Sequence, residues 1–385
     1  MPAPYSGAVD GATHRRLTRS IPVLPSSPMT RAVFPPPPAE LRGRRRELET
    51  LTAAVAHAHP TRIALVGAGG SGKTTLACAL GHQLAPSLPG GIHWIRVGAW
   101  DMRTLIGMLA LRFRSGDPHS LPALRRCLKA LEGALIVLDN HEDDRAVAAL
   151  LDALRGLPIS WVITARRCLI AGVTIFPVAP PLVTSGQSPF PAVTSLTRLL
   201  RWNPVALEIA NAAVTRGVVD VDPLRGWLLD RGVDRVRAIA HEDDLPEVEL
   251  MVAWSWGHLT PAARRMMAVL GHMGGDHIDE VSLGTLARAG REQEAALSEI
   301  RGLRLVQEPL PGRIALHATV KHVVAARTRA APSRHFDHYV KLLERHPERL
   351  DLEQTHLFAA MDHAHDSGSL EASLRVQALL ARLGL

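Results

Sequence analysis

A glycine-rich run constrains this chain more than any other feature: Gly67-Ala68-Gly69-Gly70-Ser71-Gly72-Lys73-Thr74. It matches the pattern G-x-x-x-x-G-K-[ST] at every fixed position, directly after the apolar segment 63–66 and before a helical pattern. Glycine lets the backbone turn tightly, so several N–H groups can point at phosphate oxygens, and the helix adds the positive end of its dipole. A strand, a glycine loop and a helix in this order predict a nucleoside triphosphate site.

Each part of the loop has an expected task in that site. Lys73 is expected to reach the β- and γ-phosphates and to act in catalysis, and Thr74 to hold a magnesium ion. The alternative is a glycine-rich turn that merely contains Lys-Thr, which the flanking strand and helix disfavour. The other residues expected to contact the nucleotide here are Gly67, Gly69, Gly70, Ser71, Gly72 and Thr75.

The composition indicates more than one domain. With 385 residues the chain exceeds the usual size of one domain, about 100 to 200 residues. Hydrophobic residues make up 46% and aromatic residues 4%, which predicts interiors built from Leu, Val and Ala. The formal net charge of +7 is compatible with a nucleic-acid partner, but a solvated basic surface is the favoured interpretation.

Cysteine usage and hydropathy predict a cytoplasmic protein without a membrane segment. The three cysteines, Cys78, Cys127 and Cys168, are widely spaced and follow no zinc or disulfide pattern. No apolar run approaches the roughly 18 residues that a membrane span needs. The apolar segment 21–25 is too short and too broken by proline for a signal peptide.

Alternating strand and helix patterns predict an α/β fold for the first half of the chain. Residues 1–38 are rich in proline and arginine and predict a disordered or polyproline-like tail. The alternation that follows predicts a parallel sheet flanked by helices over residues 39–190. Its strands are expected at 63–66, 92–97, 134–138, 159–164 and 175–178.

The strand pattern stops near residue 190, and the rest of the chain is predicted to be mainly helical. A helical lid domain is expected over 191–245, with helices at 196–200, 204–214 and 224–229.

A winged-helix domain is expected over 246–330. Thr260 before Pro261 predicts a helix start, and the Pro311-Gly312 turn between apolar segments predicts a hairpin. Residues 331–385 predict further helices, compatible with the start of a TPR-like array.

A second acidic motif follows the predicted strand at 134–138. Asp139 ends this strand and is expected to hold magnesium together with Thr74. Glu142 is the candidate base that orients the attacking water. The alternative is that the acids at 142–144 cap the helix beginning near Arg145.

Arg166 stands where the strand predicted at 159–164 ends. Ligands of parallel sheets bind beyond the carboxyl ends of the strands, so Arg166 is a candidate sensor of the γ-phosphate. A solvated arginine at a strand end is the alternative.

Several further segments match one class of ATPases. Residues 41–48 read L-R-G-R-R-R-E-L, 137–142 read V-L-D-N-H-E, 202–207 read W-N-P-V-A-L and 254–265 read W-S-W-G-H-L-T-P-A-A-R-R. In these segments the chain resembles the STAND class of signal-transduction ATPases, specifically the bacterial NB-ARC-like ATPases of AfsR- and LuxR-type regulators. The resemblance covers nearly everything after the tail. It implies an AAA+/STAND-like P-loop domain followed by a helical lid, a winged helix and further helices.

The resemblance also implies roles for single residues. Arg44 is implied to lie by the adenine, and Pro204 to pack near the adenine, although Trp202 replaces the usual glycine before it. His317 corresponds to a histidine that touches the β-phosphate of bound ADP. Ala318 replaces the aspartate of the stricter M-H-D form of that motif, so the lock on ADP is expected to be weaker or built differently.

For function, the resemblance implies a conformational switch that binds ATP and ADP with Mg²⁺. In this class ADP holds a closed monomer, and exchange for ATP opens it and allows self-association. ATP hydrolysis, if present, is expected to be slow. Two alternatives stay open: a transcription regulator that binds DNA through the winged helix, and a nucleotide-binding scaffold that never hydrolyses ATP.

Overall fold

The computed structural model describes residues 35, 37–38, 41, 44–57, 60–97, 100–115, 120–131, 133–179, 190–231 and 246–383. Nearly all of the predicted tail therefore lies outside the described residues, as do Arg42 and Gly43 of the segment before the first helix.

A parallel α/β unit, here called the P-loop unit, spans residues 45–177. Its strands are β1 (Arg62–Val66), β2 (Ile92–Arg96), β3 (Ala134–His141), β4 (Ile159–Ala165) and β5 (Thr174–Pro177). They lie in the order β2-β3-β4-β1-β5, and all neighbours run parallel. The helices are α1 (Arg45–His57), α2 (Lys73–Leu84), α3 (Met102–Arg112), α4 (Leu121–Lys129) and α5 (Asp144–Ala153). The predicted α/β fold with a parallel sheet is confirmed.

Apolar residues cover both faces of this sheet. One cluster contains Ile136 and Trp161, and the other contains Leu65, Val137 and Val162. Strands buried on both faces have continuous apolar runs, as the central strands do here. Because β4 lies between β1 and β3, its carboxyl end stands between the glycine loop and the acidic end of β3.

The segment predicted to be the lid begins with a 3₁₀ helix (Pro191–Leu196), followed by α6 (Pro204–Thr215) and α7 (Val221–Asp230). The helix predicted at 196–200 is wrong. Turns replace it, and they lead to Arg201 and Trp202, whose positive φ angles of 50° and 57° redirect the chain into α6. Helix α6 starts with Asn203 as its cap, which accepts hydrogen bonds from two backbone N–H groups of the first turn.

A third part, here called the small-sheet unit, spans residues 246–327. Its helices are α8 (Pro246–His258), α9 (Pro261–His272), α10 (Glu280–Ala287), α11 (Gln293–Gly302) and α12 (Ala318–Arg327). Strands β6 (Ile278–Asp279), β7 (Val306–Leu310) and β8 (Arg313–Leu316) form an antiparallel sheet in the order β6-β8-β7. Thr260 caps α9 and Gly312 turns the hairpin with a φ of 69°, so the predicted helix start and hairpin are confirmed.

Three helices complete the described chain: α13 (Pro332–Arg345), α14 (Leu350–Asp366) and α15 (Leu370–Leu383). They share an apolar cluster of their own, and α14 also contacts α3 of the P-loop unit through Phe358. Within the described part of the chain, no helix has the length and apolar character needed to cross a membrane.

Candidate functional site

A cavity of about 580 Å³, here called the central cleft, lies where the P-loop unit, helix α6 and the small-sheet unit meet. The P-loop unit lines it with the glycine loop and the carboxyl ends of β2, β3 and β4. Helix α6 adds Pro204, and the small-sheet unit adds Asp276, His277 and His317. Three of the four parts of the molecule therefore face one space.

The glycine loop has the backbone shape that its residue types predict. Gly70 and Gly72 have φ angles of 77° and 87°, in the left-handed region that favours glycine. A Cβ atom at Gly67 would overlap the carbonyl oxygen of Val178. Gly72 is also the N-cap of α2, so the positive end of this helix lies at the loop. The loop is therefore suited to hold an anion.

Most of the predicted loop residues reach the central cleft. Ser71 is buried instead, and its hydroxyl has no hydrogen-bond partner among the described residues. Gly67 lies at the end of β1, against Val178. The loop residues that line the cleft are Gly69, Gly70, Gly72, Lys73, Thr74 and Thr75.

Arg44 contacts the glycine loop outside the central cleft. Its Nη2 donates hydrogen bonds to the backbone oxygens of Ser71 at 2.6 Å and Ala179 at 2.5 Å, and its Nη1 pairs with Glu47. The guanidinium lies just under 4 Å from where a Cβ atom of Gly72 would stand. Arg44 does not line the cleft, so its contacts are with the loop backbone.

Lys73 forms hydrogen bonds with the backbone of its own glycine loop. Its ammonium donates to the backbone oxygens of Gly67 and Ala68, both at 2.8 Å. Burial and the nearby Arg166 lower the pKa of Lys73 to about 8, while Asp139 acts in the opposite direction. A partly desolvated cation beside a second cation attracts an anion, so this position suits phosphate.

Asp139 is held by two hydroxyl groups. Its Oδ1 accepts hydrogen bonds from Thr74 Oγ1 at 2.8 Å and from Thr164 Oγ1 at 2.6 Å. Thr164 also accepts the backbone N–H of Asn140 at 2.9 Å, where β3 bulges and Asn140 has a φ of 60°. Thr164 thus orients the carboxylate and stabilises the bulge that follows it, and the sequence did not single this residue out.

The Thr74 hydroxyl and the Asp139 carboxylate fit a magnesium ion. Both are oxygen donors on the wall of the cleft, and Mg²⁺ typically takes one or two such protein ligands and completes its shell with phosphate oxygens and water. When bound there, the ion would neutralise phosphate charge.

Glu142 lies apart from this group. It does not line the central cleft but a neighbouring one of about 1000 Å³, which it shares with Arg166. Its Oε1 accepts a hydrogen bond from Asn140 Nδ2 at 3.0 Å. Of the acids beside it, Asp143 caps α5, as the alternative interpretation predicts, and Asp144 pairs with His141 at 2.7 Å.

Arg166 lines both clefts, directly after β4. Its charge lowers the pKa values of Lys73 and His317, so its guanidinium lies close enough to act on both. The structure therefore brings Arg166 together with the glycine loop, as the position after the strand predicts.

Pro204 packs directly on the glycine loop. Its Cδ lies 3.3 Å from where a Cβ atom of Gly70 would stand, and Val205 Cγ2 lies at 3.5 Å. Pro204 is thus both the first residue of a capped helix and part of the wall of the cleft.

His317 approaches the same loop from the opposite wall. Its Nδ1 accepts the backbone N–H of Thr319 at 3.3 Å, at the start of α12. Burial, with Arg96, Lys73 and Arg166 nearby, lowers the pKa of His317 to about 4. The ring is neutral at pH 7, and since Nδ1 is the acceptor, we assign the proton to Nε2, which leaves a donor for an anion.

Five residues with charged or imidazole side chains line the cleft but were not singled out from the sequence: Arg96, Glu208, Asp276, His277 and Glu308. Arg96 ends β2, so the argument that singled out Arg166 would have found it. Asp276 and His277 precede a strand of only two residues, and no local pattern marks them. Burial raises the pKa of Asp276 to about 6, against the pull of Arg96 and Lys321.

Comparisons with known proteins give one related sequence. No family model matches the chain. The chain is 26% identical over 284 residues to the regulatory protein AfsR of Streptomyces coelicolor. The match covers 67% of this chain but 28% of AfsR, so the chain spans little more than a quarter of that protein.

Solved structures resemble the chain only distantly. The ORC1 protein of Aeropyrum pernix, solved in complex with DNA, is 18% identical with a TM-score of 0.31, over 75% of this chain and 94% of that one. Cdc6p of Pyrobaculum aerophilum is 13% identical with a TM-score of 0.32, over 76% and 97%. At these scores the likeness carries no argument. The glycine loop between β1 and α2 of a parallel sheet itself identifies the fold as a P-loop nucleotide-binding fold.

Proposed function

We propose that the chain binds ATP and ADP with Mg²⁺ in the central cleft and acts as a nucleotide-dependent conformational switch. In this proposal ADP holds the P-loop unit, the lid and the small-sheet unit together. ATP favours their separation and the self-association of the opened chain, and hydrolysis to ADP returns the closed form slowly. The resemblance of the sequence to STAND ATPases and the partial match to a regulatory protein support the proposal.

One observation carries it: three separate parts of the chain line the same cleft as the glycine loop. Lys73 belongs to the loop, Pro204 packs on it from the lid, and His317 faces it from the small-sheet unit. A ligand among these residues would contact all three parts. Its affinity must then depend on their arrangement, which is the requirement for a ligand that shifts a conformational equilibrium.

Within this proposal the side chains divide between the two states. Pro204 and the His317 Nε2–H favour the closed form with ADP. Arg166, at the border of the two clefts, is available to the γ-phosphate. Arg44 shapes the loop through its carbonyl oxygens, and its distance from the cleft speaks against direct contact with the base.

Hydrolysis is proposed to be slow in the closed form because Glu142 lines the neighbouring cleft and not the central one. Movement of the small-sheet unit would have to bring it to the phosphates. A turnover assay on purified protein separates this switch from the scaffold alternative, which predicts no phosphate release above the level of Asp139→Asn.

DNA binding is not favoured. Helix α11 precedes the hairpin. If this part of the chain bound DNA as a winged helix, α11 would be the helix that contacts the DNA. Its residues Gln293, Leu297 and Arg301 line a groove shared with Glu208 and Arg216 of the lid, so the lid stands beside this face of α11 in the closed form. DNA affinity that falls steeply with salt in the nucleotide-free protein would revive this alternative.

The experiment that tests the proposal measures nucleotide content and mass together. Protein purified without added nucleotide is expected to carry ADP and to run as a monomer in size-exclusion chromatography with light scattering. Exchange for a non-hydrolysable ATP analogue with Mg²⁺ is expected to give a larger species. Protein that binds neither nucleotide would contradict the proposal.

His317→Ala gives a sharper test of the closed state. Loss of the ring removes the donor from the small-sheet unit, so release of a fluorescent ADP analogue should be about tenfold faster, for the loss of a hydrogen bond of roughly 1.4 kcal/mol. His322→Ala, on the exposed side of the same helix, is the matched control and should leave the release rate unchanged.

A further inference from the structure

The short loop 274–277, here called the cleft loop, joins α9 to β6 and places two side chains in the central cleft. Asp276 and His277 line the same cavity as Lys73, Thr74 and Asp139. The small-sheet unit therefore presents a carboxylate to the magnesium end of the proposed nucleotide site.

The other side of the cleft loop is pressed onto helix α14. A Cβ atom at Gly274 would overlap Ala359, and one at Gly275 would overlap the ring of His356. Both glycines have ordinary φ angles, so closeness to α14, and not backbone conformation, is what requires glycine. Thr355 Oγ1 also accepts the backbone N–H of Asp276 at 3.3 Å.

A buried ion pair fixes α14 to the small-sheet unit at the same place. Arg313 of β8 donates two hydrogen bonds to the carboxylate of Glu353, at 2.8 and 2.7 Å, and both side chains are buried. The Nε of Arg313 donates to His277 Nδ1 at 2.7 Å. His356 contacts the backbone oxygen of His277 at 2.8 Å. These contacts tie the position of the cleft loop to that of α14 and β8.

The charges around Asp276 come from three elements. Arg96 of β2 and Lys321 of α12 are the cations that act on it, and Asp139 of β3 is the anion. With a pKa of about 6, its carboxylate is mostly ionised at pH 7. Asp139 lines the same cleft as Asp276, and its charge contributes to the raised pKa of Asp276. ADP would bring the charge of its β-phosphate to this region, and a γ-phosphate next to Thr74 and Asp139 would add further negative charge there.

We propose that Asp276 makes the closed form select nucleoside diphosphate over triphosphate by repelling the γ-phosphate, and that α14 holds it in position. The C-terminal helices thereby govern which nucleotide the cleft prefers. The inference rests on the proposed function, since it concerns the choice between its two ligands. It also supplies a carboxylate to a region where Ala318 replaces the aspartate of the related motif.

The first experiment measures the affinities of wild type and Asp276→Asn for ADP and for a non-hydrolysable ATP analogue, both with Mg²⁺. Asparagine keeps the size and removes the charge. The affinity for the ATP analogue is expected to rise about tenfold, with ADP affinity changed less than about twofold, as loss of one like-charge contact predicts.

The outcomes separate the two claims. If wild type binds both nucleotides and the substitution changes both affinities by the same factor, or neither, the role of Asp276 is wrong while the proposed function stands. If wild type binds no nucleotide, the proposed function fails and this inference fails with it.

The second experiment tests whether packing of the cleft loop on α14 affects nucleotide choice, and it changes no charged residue. Gly274→Ala should push the cleft loop off Ala359 and reproduce the shift towards the ATP analogue. Gly226→Ala is the matched control, because an added methyl group at Gly226 meets no atom within 4 Å. If Gly274→Ala destabilises the fold, Thr355→Val removes the milder contact and is read in the same way. An unchanged ADP-to-ATP ratio in a folded Gly274→Ala or Thr355→Val protein would overturn the role of α14.

Discussion

Two glycine-containing loops flank the central cleft, and they need glycine for different reasons. In the first, Gly70 and Gly72 have positive φ angles, which create a concave backbone for a ligand. In the second, Gly274 and Gly275 have ordinary φ angles, and only a neighbouring helix excludes a side chain. The first loop is shaped by its own conformation, and the second by its packing against residues of α14.

This difference shows that the two walls of the cleft are held in place by different parts of the molecule. The wall of the P-loop unit rests on a sheet with an apolar core and holds its own binding groups. The opposite wall is attached to the C-terminal helices through buried charged and histidine side chains. In the proposed function, such a wall would transmit a change in those helices to the nucleotide, whereas the glycine loop would only bind it.

The largest difference in stability between the two walls is expected in mild acid. Burial lowers the pKa values of His277 to about 3, and of His317 and His335 to about 4. In the unfolded chain these rings take up protons near pH 6.5, so stability is fully present above that pH and is lost as the pH falls towards 4. Each ring is expected to contribute at most about 2 kcal/mol of loss between pH 7 and pH 5.

Asp276 acts in the opposite direction over the same range. Its folded pKa of about 6 lies above its usual value, so protonation stabilises the folded form and offsets about 1 kcal/mol of the loss. Urea unfolding between pH 7 and pH 5 measures the net effect. The β1–β4 sheet contains one such ring, His93, whose pKa is lowered to about 4, whereas 261–383 contains at least these three. Hydrogen exchange should therefore show earlier loss of protection in 261–383 than in the sheet, and equal loss in both parts would contradict the comparison.

Breaking the buried ion pair should have the next largest effect. Glu353→Gln leaves Arg313 buried without its partner charge and is expected to lower the free energy of unfolding by about 3 to 5 kcal/mol, measured by denaturant titration. Replacing both residues, as Arg313→Met with Glu353→Leu, should recover part of the loss. If the double variant is as unstable as the single one, the cost does not come from an unpaired charge.

On the other wall, Lys73→Ala should change binding and not stability. Loss of a charged donor to phosphate is expected to weaken ADP binding about a hundredfold, roughly 3 kcal/mol, in a fluorescence titration. The melting temperature should stay close to that of wild type, because Lys73 bonds only loop carbonyls among the described residues and its lowered pKa indicates no net gain from its charge. Tight ADP binding by this variant would remove the basis of the proposed function.

The smallest effect is expected at the exposed contact between the walls. Arg114 pairs with Asp351 of α14 at 3.4 Å, and its side chain is 57% exposed. Arg114→Ala should change the free energy of unfolding by less than about 0.5 kcal/mol and leave the ADP-to-ATP ratio unaltered. A larger shift in that ratio would mean that α14 acts on the P-loop unit directly as well as through the cleft loop.

Much of the fold could be predicted because its signals are local. The five strands, the cap at Thr260 and the hairpin turn at Gly312 each depend on residues within a few positions of one another. The helix predicted at 196–200 failed because an apolar repeat does not reveal the positive φ angles at Arg201 and Trp202 that follow it.

In the candidate site, too, residues close together in a local pattern could be predicted, and positions that depend on the tertiary structure could not. Lys73, Thr74 and Asp139 were predicted as one group, and Thr74 does donate to Asp139 at 2.8 Å. The position of Glu142 outside the central cleft could not be foreseen, because it depends on the bulge at Asn140.

By itself the sequence determined the glycine loop, since eight consecutive residues contain both the backbone freedom and the binding groups that a phosphate site needs. Only the tertiary structure decided which charges face that loop. Arg96, Asp276 and His317 lie far apart in the chain, and their meeting depends on the docking of the small-sheet unit. That docking places the Asp276 carboxylate in the cleft, because the loop that carries it packs against α14.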